Sequence, residues 1–169
     1  MGSVRVKLRS AARTDLMLVK RTLYTALSWD PDDPIPPFDA VVDHPEMSIY
    51  HDGWMRPGDD GLIAETEGGA FAGMAYCRQF VNGEGAQGFV DAATPELALG
   101  VEPGFRAQGV GRRLIRGLHE AREAAGIKHM SLSVSARNPA LRLYERLGYR
   151  EVRRHGDGIV MCADINIRA

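Results

Sequence analysis

Little in this chain of 169 residues points to covalent staples, metals, polyanions or membranes. Cysteine is scarce. Cys77 and Cys162 both sit in apolar strand-like runs and form no spaced pair, so buried thiols in a reducing compartment are expected rather than a disulfide framework. A surplus of one charge sign is also missing. Lys and Arg number 21 against 22 Asp and Glu, a net charge of -1, which gives no bulk attraction to nucleic acid or a membrane surface. No apolar run approaches the length of a membrane span. The first residues alternate Val4, Val6 and Leu8 with Ser3, Arg5 and Lys7, which is strand periodicity and not the apolar core of a signal peptide. His44, His51, His119, His129 and His155 show no ligand spacing and no triad with Ser or Cys, so solvated or helix-surface positions are expected and no metal is called for. One cytoplasmic domain spanning residues 1–169, large enough to bury a core and without nucleic-acid or membrane partners, is the expectation.

What is present centres on residues 97–115. Leu97, Leu99 and Val101 alternate with smaller neighbours as a strand, and Pro103 and Gly104 end it. Gly109 and Gly111 then open a helix in which Leu114, Leu118, Ala121 and Ala125 recur at helical spacing up to Gly126. A glycine turn feeding a helix N-terminus exposes unpaired amides at the positive end of the dipole, which makes an anion site. Arg106, Arg112 and Arg113 crowd that end, where cations oppose the dipole by about 0.3–1 kcal/mol each. Two readings are open here: a docked polyanion, or three solvated arginines. No lysine follows the glycines as a Walker A loop requires, and the third glycine of a dinucleotide fingerprint is absent.

Arg106-Ala-Gln-Gly109-Val-Gly111, with its lead-in Val101-Glu-Pro-Gly-Phe, resembles the phosphate loop Arg/Gln-x-x-Gly-x-Gly/Ala of the GNAT superfamily of N-acetyltransferases. The resemblance is strongest over residues 95–152, and the order of elements extends it over nearly the whole chain. It implies an α/β fold of the acyl-CoA N-acyltransferase type. Such a fold has a mixed, mostly antiparallel sheet with one splayed parallel pair and helices on both faces. It also implies that amides of Arg106, Ala107, Gln108, Gly109, Val110, Gly111 and Arg112 hold the pyrophosphate of acetyl-CoA, and that Leu99, Gly100 and Val101 align pantetheine. Gly100, inside an apolar strand, marks a bulge or a close backbone approach; the family places a bulge there. Domains of this family occur as monomers and homodimers.

Elsewhere, Thr14 or Asp15 caps a helix carrying Leu16, Val19, Leu23 and Leu27, which the prolines at 31, 34, 36 and 37 must end. One or two short helices follow over residues 40–55, and residues 62–67 and 70–80 read as a hairpin split by Gly68-Gly69. Residues 82–88 form a glycine-rich connector. Met130, Leu132 and Val134 alternate as the next strand, and Asn138-Pro139 reads as N-cap and first residue of a helix stopped by Gly148. Two strands around a polar turn close the chain.

Asn138-Pro-Ala-Leu-Arg-Leu-Tyr144-Glu-Arg-Leu-Gly-Tyr149 is similar to the family pattern Asn-x-x-Ala-x-x-Leu-Tyr-x-x-x-Gly-Phe/Tyr, with the small residue shifted to Ala140. The resemblance gives Tyr144 the general-acid place and Asn138 a cofactor contact. A phenol with a pKa of about 10 stays protonated near neutrality and can protonate a departing thiolate. Read by periodicity alone, Tyr144 is the inward aromatic of an amphipathic helix. A carboxylate base is needed to take the acceptor's proton. Glu96 lies at the start of the central strand, near where the family often places a carboxylate, but its strand parity is opposite to Leu97, and Asp91, Glu65 and Tyr76 are no worse on sequence grounds. Trp29, Asp32 and Asp33 lie in the proline loop that overhangs the acceptor pocket in the family, and the same acids also suit plain turns. The resemblance thus implies acetyl transfer from acetyl-CoA to a primary amine of a small molecule or peptide, by direct attack in a ternary complex. A non-catalytic acyl-CoA sensor and a transferase for another acyl group are the alternatives.

Overall fold

The computed structural model describes residues 4–82 and 84–166, so Ser3, Gly83 and the outermost ends of the expected domain lie outside the described residues. Among the described residues, seven strands form one sheet in the order β1-β2-β3-β4-β5-β7-β6. They are β1 Val6–Ser10, β2 Asp60–Thr66, β3 Phe71–Arg78, β4 Glu96–Val101, β5 His129–Ser135, β6 Arg150–His155 and β7 Gly158–Asp164. The helices are α1 Leu16–Leu27, α2 Phe38–Val42, α3 Pro45–Ser48, α4 Val110–Ala124 and α5 Leu141–Arg146. All neighbours run antiparallel except β4 and β5, which are parallel and share one register pair, Glu96 with Ser131, before they part. The mixed sheet with a splayed parallel pair is the arrangement expected.

Strand alternation assigns the two faces. Ala75 and Cys77 of β3 and Leu97 of β4 pack with Leu114, Ile115 and Leu118 of α4, in a core that extends to Met130, Leu132, Tyr144 and Tyr149. Met74 and Tyr76 face the other way, against Val19 of α1 and Trp54. Glu96, Ala98 and Gly100 therefore share the α1 face of β4. Gly100 breaks no register with β3, so no bulge sits there. A Cβ at Gly100 would lie 2.8 Å from the Thr22 carbonyl oxygen and 3.2 Å from Thr25 Cβ. Close passage of α1 explains this glycine.

Three local expectations need correction. The Asn138 side chain does not cap a helix beginning at Pro139. It accepts from Ala140 N at 2.9 Å within a turn, and α5 starts at Leu141. Asp15 occupies the N-cap of α1, yet its carboxylate turns back to Ala12 N and to a bidentate contact with Arg9, so the helix start gains no side-chain cap. Not all histidines are solvated. His51 is buried and its Nε2–H donates to the Val42 carbonyl at 2.7 Å, while burial lowers His119, which shares a hydrogen bond with the Tyr149 hydroxyl, to a pKa of about 4.

Candidate functional site

Where β4 and β5 diverge, they leave a cleft of about 800 Å³. Its walls are Leu97 to Val101 on one side and Leu132, Ser133 and Val134 on the other. Across the cleft from one another lie residues of α1 and of α5, including Leu23, Leu27, Leu143 and Tyr144. Strand β4 runs the length of the cleft, from Glu96 at the closed end to Val101 at the open end, roughly 17 Å at about 3.3 Å per residue. Glu102 N donates across to Ala72 of β3. By alternation, Leu99 and Val101 turn their backbone groups to the opposite side, where β5 has already departed. Arg106 Nε takes the Val101 carbonyl at 2.9 Å.

At the open end, Gly109 adopts φ +81° and serves as the N-cap of α4 without a side-chain cap. Ala107 is also left-handed, at φ +58°, a conformation that costs a non-glycine residue about 1–2 kcal/mol. The first backbone bond of the helix runs from Arg113 N to Gly109 O, and the amides of residues 107–112 have no acceptor among the described residues. Successive unpaired amides around left-handed residues form an anion-binding concavity, reinforced by the helix dipole. A Cβ at Gly111 would come within 3.3 Å of Leu99 and Leu143, so the glycine lets the loop sit close against the strand. These features fit a diphosphate.

The three arginines do not act together. Arg112 and Arg106 line the cleft, whereas Arg113 reaches away to the Val6 carbonyl at 3.0 Å. Gln108 also turns aside. Its amide donates to Gly104 O and its oxygen accepts from Val4 N, so its side chain is not part of the lining.

At the closed end, the only carboxylate lining the cleft among the described residues is Glu96, which is 7% exposed. Its Oε1 accepts from the Tyr50 hydroxyl at 3.1 Å and from Gly88 N at 2.9 Å, while Oε2 has no partner among the described residues. Burial raises its pKa to about 7; the Tyr50 and Gly88 hydrogen bonds and the charge of Arg153 oppose that rise. Tyr76 is buried nearby, its hydroxyl has no partner among the described residues, and burial pushes its pKa upward. The other candidate bases lie elsewhere. Glu65 pairs with Arg9, and Asp91 accepts from Ala93 N and the Thr94 hydroxyl.

The partners of Glu96 come from segments that carry no pattern of their own. Tyr50 follows α3 and is oriented from two sides. Its hydroxyl accepts from Gln87 N at 2.8 Å, and its ring packs edge-on against Phe80 at 5.4 Å. The preceding carbonyl, Ile49 O, accepts from Arg78 Nη1, which also donates to Asp52 O. Arg78 in turn makes two hydrogen bonds to Asp59 in a pair that is 1% and 0% exposed. The end of the glycine-rich connector is fixed as well, because Gly88 O accepts from Ser131 Oγ at 2.7 Å. A Cβ at Gly88 would stand 2.5 Å from Glu96 Oε1. Sequence reasoning missed Tyr50, Gly88 and Arg78. The one available signal was an arginine inside the apolar run of β3, which demands a buried counter-charge.

Tyr144 both packs and lines. Its ring meets Tyr149 at 6.0 Å within the core, it borders the cleft, and burial raises its pKa to about 12. Its hydroxyl makes no hydrogen bond among the described residues. Asn138 lines the cleft near it. Trp29 also lines the cleft, with the Arg137 guanidinium 5.9 Å from its ring centre. Asp32 and Asp33 do not. Both are exposed in a turn where Asp30 accepts from their amides.

Residues 57–151 match the model of the acetyltransferase (GNAT) domain. A mycothiol acetyltransferase of Acidothermus cellulolyticus is 32% identical over 129 residues, 66% of this chain; the chain spans only 38% of that protein's length. Among solved structures, the PaiA N-acetyltransferase of Thermoplasma acidophilum in complex with coenzyme A superposes with a TM-score of 0.68 at 14% identity, covering 95% of this chain and 99% of that one. The protein yncA of Salmonella typhimurium, solved with its cofactor acetyl-CoA, gives 0.67 at 20% identity, covering 98% and 96%. At such identities the likeness concerns the fold.

Proposed function

The chain belongs to the GNAT acetyltransferases, and from that premise we propose that it transfers an acetyl group from acetyl-CoA to a primary amine by direct attack in a ternary complex. One observation carries the reading: a single cleft has unpaired amides at its open end and a buried carboxylate at its closed end. Acetyl-CoA, when bound, supplies the activated acyl group and a thiolate leaving group. Amides of residues 107–112 hold the diphosphate, with Arg106 and Arg112 alongside. The outward-facing backbone of Leu99 and Val101 pairs with the pantetheine arm as an added strand would, and an N–H of this stretch stabilises charge developing on the acyl oxygen.

Glu96 is the base in this reading. A carboxylate with a pKa of about 7 is poised to take a proton near neutrality, and its unpartnered Oε2 is the acceptor atom. Tyr144 is the acid. Burial keeps its phenol protonated, and its free hydroxyl is available to protonate the departing sulfur. Thiol release from acetyl-CoA across a panel of amines tests the proposal. Turnover is expected with wild-type protein and a loss of about 100-fold or more with Tyr144→Phe. Tight coenzyme A binding with no thiol released for any amine refutes transfer in favour of a binding protein, and an undiminished Tyr144→Phe removes the tyrosine from its role.

A further inference from the structure

The acceptor end of the cleft has a chemical character of its own, and its chemistry points to a substrate class. We propose that the acceptor is a monoamine on an uncharged, apolar body, and that polycationic amines are excluded; this rests on the transferase reading above. Charge makes the first argument. Among the described residues, the cleft is lined by one carboxylate, Glu96, against four arginines, Arg106, Arg112, Arg142 and Arg146. The acids that could have answered a second ammonium, Asp32 and Asp33, are exposed outside the lining. Arg106 and Arg112 are answered by the cofactor's diphosphate in the reading above, so the lining offers the acceptor one negative charge and no second.

The geometry at Glu96 makes the second. Oε1 is already occupied by the Tyr50 hydroxyl and Gly88 N, which leaves Oε2 as the one unsatisfied oxygen. A single amino group satisfies it. A second ammonium on the same molecule would be desolvated with no counter-charge within the lining, and a buried unpaired charge is strongly disfavoured.

The third argument is what surrounds that oxygen. Leu23, Leu27 and Met47 border the cleft and cluster with Tyr50, whose hydroxyl holds Glu96. They offer apolar and aromatic surface to a flat apolar group, and the methionine adapts to its outline. The aliphatic members form no bond to the ring hydroxyls of a sugar or to a substrate carboxylate, so such an amine pairs its polar groups only with Thr25, Gln87 and the other polar residues of the lining.

The test uses the full chain with acetyl-CoA at pH 8, comparing 2-phenylethylamine with spermidine and kanamycin by thiol release, and by calorimetric titration of each amine into the protein–coenzyme A complex. A kcat/KM for 2-phenylethylamine at least 100-fold above both polycations is expected, with binding weakened tenfold or more by Glu96→Gln. Spermidine or kanamycin turning over as well as 2-phenylethylamine overturns the proposal while leaving transfer intact. If no amine turns over but 2-phenylethylamine binds in a Glu96-dependent way and spermidine does not, the binding preference stands and transfer falls. If coenzyme A binds but 2-phenylethylamine neither reacts nor binds, the proposal is overturned. Leu27→Asp, at a half-buried position, adds a second carboxylate and is expected to move the spermidine to 2-phenylethylamine ratio upward at least tenfold; an unchanged ratio counts against the assignment of this end of the cleft.

Discussion

Replacing Glu96 by glutamine separates the cost of burying this carboxylate from its use. Burial takes its pKa from 4.5 to about 7. At about 1.4 kcal/mol per pH unit, that difference corresponds to about 3 kcal/mol disfavouring the ionised folded state. The sign follows from which state ionises first. Below pH 4.5 both folded and unfolded chains hold the proton, and the native state keeps its full stability. Between 4.5 and 7 the unfolded chain ionises ahead of the folded one, so stability declines as pH rises, and above 7 the loss is complete. Glutamine preserves an oxygen for Tyr50 and Gly88 and has no such titration. Urea unfolding of both proteins at pH 4.5 and pH 8.5 should therefore show the variant gaining about 3 kcal/mol on the wild type between the two conditions. Activity should move the other way. Wild-type kcat/KM rises about tenfold per pH unit up to a pH of about 7 and then levels, whereas the variant loses that limb and about 100-fold or more in rate. Parallel stabilities at both pH values, with activity within tenfold of wild type, would refute both the burial argument and the base assignment.

Other substitutions probe separate links. Tyr144→Phe should leave the melting temperature nearly unchanged, because the hydroxyl it removes has no hydrogen-bond partner among the described residues, while thiol release falls. Gly109→Ala, at φ +81°, should cost about 1–2 kcal/mol in unfolding experiments and weaken coenzyme A binding measured by calorimetry. Gly100→Ala places a methyl 2.8 Å from the Thr22 carbonyl and should destabilise by about 1–3 kcal/mol, read from the urea midpoint. Asp59→Asn removes one member of a fully buried ion pair and should cost about 3–5 kcal/mol.

How much of this was legible in advance depends on whether the cause is local. Helix α4 was, with its start at Gly109 and its end by Gly126, because apolar spacing and glycine turns are written within one turn of the residues they govern. Strands β3, β5 and β7 were readable for the same reason. The gap between β4 and β5 was not visible in either strand, since a parallel register depends on what lies beside it; the resemblance supplied it. Glu96 was identified as a candidate, but its environment was hidden. Its donors stand 46 and 8 residues away, and its chemistry comes from being enclosed by them. Asp32 and Asp33 failed as cleft residues through the opposite ambiguity, because an acid beside prolines reads the same whether it faces a ligand or water. Gly100 offered bulge or close approach, and only the position of α1 decides between them.

The Arg78–Asp59 pair has a consequence for how acceptor preference could diversify. Residues 43–58 contain one four-residue helix and are otherwise irregular, yet Arg78 grips this stretch by main-chain oxygens at 49 and 52 and by the carboxylate that follows it. Main-chain oxygens are indifferent to side-chain identity. A position such as Met47 can therefore be exchanged by mutation without renegotiating how the stretch is moored, and the sheet beneath it serves as a fixed frame for interchangeable fittings.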